Sequence, residues 1–472
     1  MSTIHKYVLC LIAVLMTGVA SAQAPYVVTV KPWDSSFAIG VQSFAWASYE
    51  GKLLIVGGRT NGFHRTSDKE RTFPSQYDNQ QFRVIDLKNK QAYSADIPGD
   101  FLLPLRTTNM AYYQDGNTLY FAGGYGSTCN SDSASCYQTF PNLTAIQVAG
   151  LVNAIVAGQT TNLEQYLTMI TDERMRVTGG GLEKIGDYFY LVFGQNFNSI
   201  YKGGISGIYT EEIRQFRINN SNGQLSISDY SATTTPLQYQ GMSQFHRRDL
   251  NIFPTILPNG TEGIGALGGV FTQQAGPYPN PLTIAAGNGS ATAAIDTGFQ
   301  QKFCLYDCAR MLVYDPRGKN MYATLFGGIT DYYYDKSGKP VPSNMSNFMP
   351  FFNHLSTVGL SSAGTYTEYP QYQPALPGYI GSNASFIPLT GVATYGRNPN
   401  IIDYSTLPPG KAVQVGWIYG GITATAPQSS EFNPTFSNKV IYAVYVTRNS
   451  AAGKKATPKP IKRMTRKPSS KA

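Results

Sequence analysis

The chain has 472 residues, 42% hydrophobic and only 14% charged, a balance that suits a folded, core-forming protein and excludes a charge-rich disordered one. Its formal charge of +9 is unevenly placed, because eight cations lie in Ala451 to Ala472 with no acid among them. Setting those and Lys6 aside leaves a neutral body, so the basic character belongs to the tail; with no folded nucleic-acid module beside it, no nucleic-acid partner is expected.

In chain order, residues 1–22 read as an export signal: Lys6 precedes an apolar run from Tyr7 to Ala20, and Ala20-Ser21-Ala22 supplies a small-x-small cleavage pattern. Cys10 lies too early in that run to be a lipid-anchor cysteine. A secreted, periplasmic or cell-surface location is therefore expected. No other segment reaches the roughly 18 apolar residues of a membrane span.

Residues 23–449 form the body, and within it a hydrophobic strand ending in two glycines recurs. LLIVGG closes at Gly58, LYFAGG at Gly124, GIGALGG at Gly269, MYATLFGG at Gly328 and GWIYGG at Gly421. A sixth, degenerate copy, YFYLVFG, ends at Gly194. Each pairs with an earlier apolar segment across a polar turn, as in Met110 to Tyr113 with Leu119 to Gly124, or Met311 to Tyr314 with Met321 to Gly328. Alternating apolar residues around such turns predict antiparallel hairpins. For the degenerate copy the predicted partner is Arg176 to Leu182. Copies lie about 60 to 90 residues apart, longer than the ~50 of a compact repeat, so long inserts are expected between strands.

The pattern resembles the kelch-repeat β-propeller family, whose repeat runs from a buried strand through GG and a variable loop to a strand near Tyr-Asp and a last strand with a Trp. The first repeat carries the resemblance best: LLIVGG, FRVID at Phe82 to Asp86, and NKQAY at Asn89 to Tyr93, with Tyr93 and, in the third repeat, Tyr230 standing where the family has Trp. The resemblance implies an all-β fold, a six-bladed propeller of four strands per blade. Its last blade would take Val440 to Thr447 as third strand and Tyr26 to Trp33 as outer strand, a closure between the two ends of the chain. Among exported six-bladed kelch proteins, FGQNFNSIYKG at Phe193 to Gly203 is faintly similar to a loop of sialic-acid epimerase. Residues 450–472, rich in Lys, Pro, Ser and Thr, are expected to be disordered and available to an anionic surface.

After the signal, four cysteines remain in two local pairs, Cys129 with Cys136 and Cys304 with Cys308, and an even count in an exported chain predicts two short-loop disulfides. No zinc-ligand spacing accompanies them, and no cofactor is expected. His64, His246 and His354 with Asp249 form the best set of metal ligands the chain offers, and it lacks ligand spacing, so no metal is expected either.

In a propeller, loops entering the innermost strand and loops following the second strand open at one end of the channel, where a ligand site should draw on both. The entering loops carry Arg106, Arg176, Arg247, Arg248 and Arg310; after the glycines come Arg59, Asn61, Gln195, Asn196 and Asp331. Arg59 and Asn61 fall where kelch-like substrate adaptors place residues that hold acidic peptides. These ten residues are the candidate ligand-binding set, because guanidinium forks suit carboxylates and sulfates. A structural reading competes: Asp100, Asp172, Glu173, Asp249 and Asp307 lie beside these arginines and would tie blades together.

The function expected is therefore a monomeric, non-catalytic exported propeller that binds an acidic glycan or peptide in its central funnel. An alternative is an epimerase or lyase acting on an acidic sugar, with His246 as proton carrier, Arg247 or Arg248 on the substrate carboxylate and Asp249 orienting the imidazole. A second alternative is a structural surface or matrix protein.

Overall fold

The computed structural model describes residues 24–63, 73–129, 133–201, 207–221, 223–343, 350–396, 398–428 and 434–450. The export-signal reading of residues 1–22, His64 and nearly all of the basic tail lie outside them.

Six antiparallel sheets are arranged in a ring, a six-bladed β-propeller. Blade 1 runs through Ala45–Tyr49, Lys52–Val56, Gln81–Asp86 and Gln91–Asp96. Blade 2 uses Ala111–Asp115, Thr118–Ala122, Asn142–Gln147 and Leu167–Thr171. Blade 3 uses Gly181–Ile185, Tyr188–Val192, Ile213–Ser221 and Gln224–Thr233. Blade 4 uses Asn251–Ile256, Glu262–Leu267, Leu282–Ala285 and Thr292–Ile295. Blade 5 uses Ala309–Asp315, Asn320–Phe326, Leu355–Leu360 and Tyr366–Gln371. Blade 6 joins Tyr379–Pro388, Ala412–Ala424 and Ile441–Arg448 to the N-terminal strand Tyr26–Trp33, which pairs antiparallel from Tyr26 opposite Arg448 to Trp33 opposite Ile441. The predicted end-to-end closure is thus present, and Trp33 packs on Trp417 at 4.7 Å between ring centroids. One hairpin differs from expectation: Tyr188–Val192 pairs with Gly181–Ile185, because the stretch from Arg176 to Gly180 is the loop that enters the blade. One long insert folds as a helix, Val148–Val156, whose apolar side covers the junction of blades 1 and 2.

Among the described residues six buried clusters match the six blade junctions, from Leu54 and Phe82 against Phe121 and Ile146 to Trp417 and Tyr419 against Phe44 and Ile55, and two smaller ones lie around Val270 and Tyr125, just past the glycines. Each fully buried large apolar side chain stabilises by roughly 1.5–3 kcal/mol, so the ring is held by its junctions rather than by one central core.

The double glycines are staples across those junctions. In every blade the N–H of the second glycine donates to a carbonyl in the loop entering the next blade: Gly58 to Thr107, Gly124 to Val177, Gly194 to Arg247, Gly269 to Leu305, Gly328 to Ile380 and Gly421 to Val41, at 2.8–3.1 Å. The first glycine is needed because that same carbonyl occupies its missing side-chain position. A Cβ on Gly123 would stand 2.0 Å from Val177 O, at a φ of +69°. In the degenerate copy Phe193 takes this place and adopts φ 54° itself.

Of the two expected disulfides, Cys129–Cys136 is present. The second is not: Cys304 and Cys308 are separate, fully buried thiols. Each has its own acceptor, Leu325 O for Cys304 at 3.8 Å and Asn251 Oδ1 for Cys308 at 3.6 Å. Burial between blades 4 and 5 also lifts the Cys304 thiol well above its ordinary pKa, which suppresses the thiolate that disulfide chemistry requires.

Candidate functional site

In four blades the residue three positions before the innermost strand pairs with the residue after the glycines: Gln42 with Arg59, Thr108 with Tyr125, Thr178 with Gln195 and Arg248 with Val270. One residue further on, the chain turns into the channel, and there the six blades contribute Ser43, Asn109, Gly179, Asp249, Asp307 and Asn383. Their backbones form a closed ring of six hydrogen bonds. Asn109 N–H donates to Ser43 O, Gly179 to Asn109, Asp249 to Gly179, Asp307 to Asp249, Asn383 to Asp307 and Ser43 to Asn383, at 2.7–3.2 Å. Five of the six have positive φ, from 50° at Asp249 to 68° at Gly179, which small polar residues and glycine tolerate best.

This ring divides the channel into two spaces, since Ser43, Asn109, Gly179, Asp249 and Asn383 line both. On the side of the arginine-bearing loops is a narrow funnel of about 50 Å³. On the other side is a chamber of about 610 Å³, lined by the innermost strands of all six blades and by the blade 6 loop around Leu389 to Thr394. The chamber is of ligand size and the funnel is of water size.

The ten candidate ligand residues are divided by this geometry. Arg59, Gln195 and Arg248 line the funnel, and Arg310 lines the chamber. Asn61, Arg106, Arg176, Asn196, Arg247 and Asp331 line neither. Arg59 donates to Asp78 at 2.6 Å, to Pro74 O and to Asn61, and Arg106 approaches the same Asp78 at 3.8 Å, so one carboxylate clamps blades 1 and 2 together. Arg176 is held by Glu173 at 2.7 Å. Arg247 is fully buried among three carbonyls and the Gln244 side chain, with Tyr278 against its guanidinium; burial pushes its pKa down to about 9. Arg248 is paired with Asp249, and Arg310 with Asp307 at 3.0 Å.

His246 does not meet Asp249. Its Nδ1 lies 2.8 Å from Glu211 Oε1 and its ring stacks on Tyr209 at 3.6 Å, away from both spaces. Asp249 is engaged instead by Arg248, by Tyr306 Oη at 3.3 Å and by Asn109. His354 is buried against Tyr334 and Tyr372, and among the described residues no cluster of potential metal ligands occurs.

Three chamber groups had not been singled out for a site. Glu183 on the innermost strand of blade 3 is 9% exposed, and desolvation pushes its pKa up to about 8 against the opposing pull of Arg310. Asp307 is pushed up to about 6 by burial, again opposed by Arg310. Tyr112 faces Ser385 across 3.5 Å and is pushed up to about 12. A glutamate on the same strand face as Gly181 and Ile185 in GLEKI was the available signal.

Comparison with known protein families and with curated proteins finds no match to this chain.

Proposed function

We propose that this protein is a non-catalytic binding propeller that holds a small organic ligand in the chamber beyond the ring of Ser43, Asn109, Gly179, Asp249, Asp307 and Asn383. The observation that carries the reading is the chamber itself: about 610 Å³, with aromatic walls and a few converging polar groups supplied by every blade. An acidic glycan or peptide would meet one arginine there, Arg310, already held by Asp307, so the geometry favours the location more than the acidity of the ligand. The acid-base alternative lacks a cavity beside its proton carrier, because His246 lines neither space. Kinship with kelch propellers rests on the blade design, and export rests on the N-terminal sequence with the Cys129–Cys136 disulfide in support.

The test is to fill the chamber. Ser385→Trp places an indole into it, while Gln195→Ala alters the funnel, which Gln195 lines, and not the chamber. Native mass spectrometry against sugars, organic acids and amines should find a ligand whose affinity falls by about tenfold or more in Ser385→Trp. Circular dichroism should remain unchanged. A ligand lost in Gln195→Ala but retained in Ser385→Trp would contradict the reading.

A further inference from the structure

Six titratable side chains line the chamber: Tyr112, Tyr113, Glu183, Asp249, Asp307 and Arg310. Asp249 is taken by Arg248, and Asp307 by Arg310. Glu183 is the one carboxyl left over, and its Oε2 is fully enclosed without a hydrogen-bond partner. A buried carboxyl with no partner costs folding free energy, and because Glu183 also lines the chamber, a ligand that pairs with the carboxyl from that side recovers part of it. Trp46, Tyr112, Tyr113, Phe253 and Phe386 line the same chamber.

Resting on the chamber reading, we propose that the ligand is an organic cation, a protonated amine or guanidine on an apolar body, whose positive group seats on the Glu183 carboxylate. With Asp249 paired to Arg248 and Asp307 to Arg310, the chamber keeps no uncommitted cation to receive an anion, whereas the unpaired Glu183 can receive a cation. The aromatic walls add attraction for a cation over their ring faces. Desolvation keeps Glu183 protonated in the empty chamber at neutral pH. The arriving cation therefore displaces one proton to solvent: carboxylic acid and ammonium become carboxylate paired with ammonium, plus a released H⁺.

Three probes of similar size and apolar body separate the possibilities: phenethylamine, 2-phenylethanol and 3-phenylpropionate. Titration calorimetry in two buffers of different ionisation enthalpy reads affinity and proton release together. The amine should bind about tenfold or more tighter than the other two, release close to one proton, and tighten as pH rises toward the Glu183 value of about 8. Glu183→Gln should remove the proton release and the amine preference while leaving 2-phenylethanol unchanged. Equal binding of amine and alcohol, an equal loss of all three in Glu183→Gln, or no binding of any probe would overturn the proposal. Tight binding of the alcohol or carboxylate that Ser385→Trp abolishes would overturn the cation and leave the chamber reading standing. Amine binding that survives Ser385→Trp would overturn both.

Discussion

Asn109 shows how much one residue does at the channel. Its N–H and C=O both belong to the six-membered ring, its φ is 52°, and its side chain reaches Asp249 at 3.3 Å. Glu183, on the next blade, carries the opposite kind of information, a carboxyl that folding leaves unpaired. Its folded pKa of about 8 lies above the ordinary 4.5, so the folded chain holds a proton that the unfolded chain releases. That contribution is whole below the unfolded value and is lost as pH rises through the folded one. Wild type should therefore lose stability relative to Glu183→Gln across this window, by about 1.4 kcal/mol per pH unit at most, in urea unfolding followed at several pH values. Parallel stability curves for the two proteins would contradict the assignment. Asp307 and Glu368, pushed up to about 6 and about 7 by burial, carry the same sign in both proteins and cancel in the comparison. Little of this was legible in the sequence, where arginines beside acids looked like the site. Which arginine is already paired depends on residues from other loops, such as Asp78 for Arg59 and Arg106, and local spacing does not reveal them.

Among the elements, the N-terminal strand has the clearest consequence. Tyr26, Val28 and Val30 are buried in the junction of blades 5 and 6, and Gln371 of blade 5 bonds both the N–H and the C=O of Val28 at 3.0 and 2.8 Å. Removing residues 24–33 should cost roughly 5 kcal/mol from lost apolar burial and leave Ile441–Arg448 as an open edge. Thermal unfolding should show a large fall in Tm, and light scattering should show association of the freed edges. An unchanged Tm would contradict the closure. This element was readable in advance to the residue, because a strand with alternating burial needs a partner and the last blade lacked its fourth. The blade 3 hairpin was misplaced because Met175 and Val177 carry an apolar alternation backward into a loop, and the Thr178–Gln195 bridge marks where that loop ends.

At the scale of the whole molecule, the double glycines gave the blade number and the ends of the channel, since their geometry repeats at all six junctions. The chamber was not legible, because it is made by six strands far apart in sequence whose inward side chains share no motif. The ring that bounds it left a faint trace: Gln-Ser, Thr-Asn, Thr-Gly, Arg-Asp, Tyr-Asp and Ser-Asn at each turn into an innermost strand. With the ring closing one side and the loop around Leu389 to Thr394 lining the other, the chamber is the ligand-sized space of this channel.

Trp46 lines that chamber, whereas Trp33 and Trp417 pack against each other at the junction of blades 6 and 1. A protein carrying Trp33→Phe and Trp417→Phe therefore reports from the chamber alone. Titrated with phenethylamine, its emission should shift and become shielded from acrylamide with the same saturation as binding measured by calorimetry. Saturable binding that leaves Trp46 emission and quenching unchanged would contradict a ligand site in the chamber.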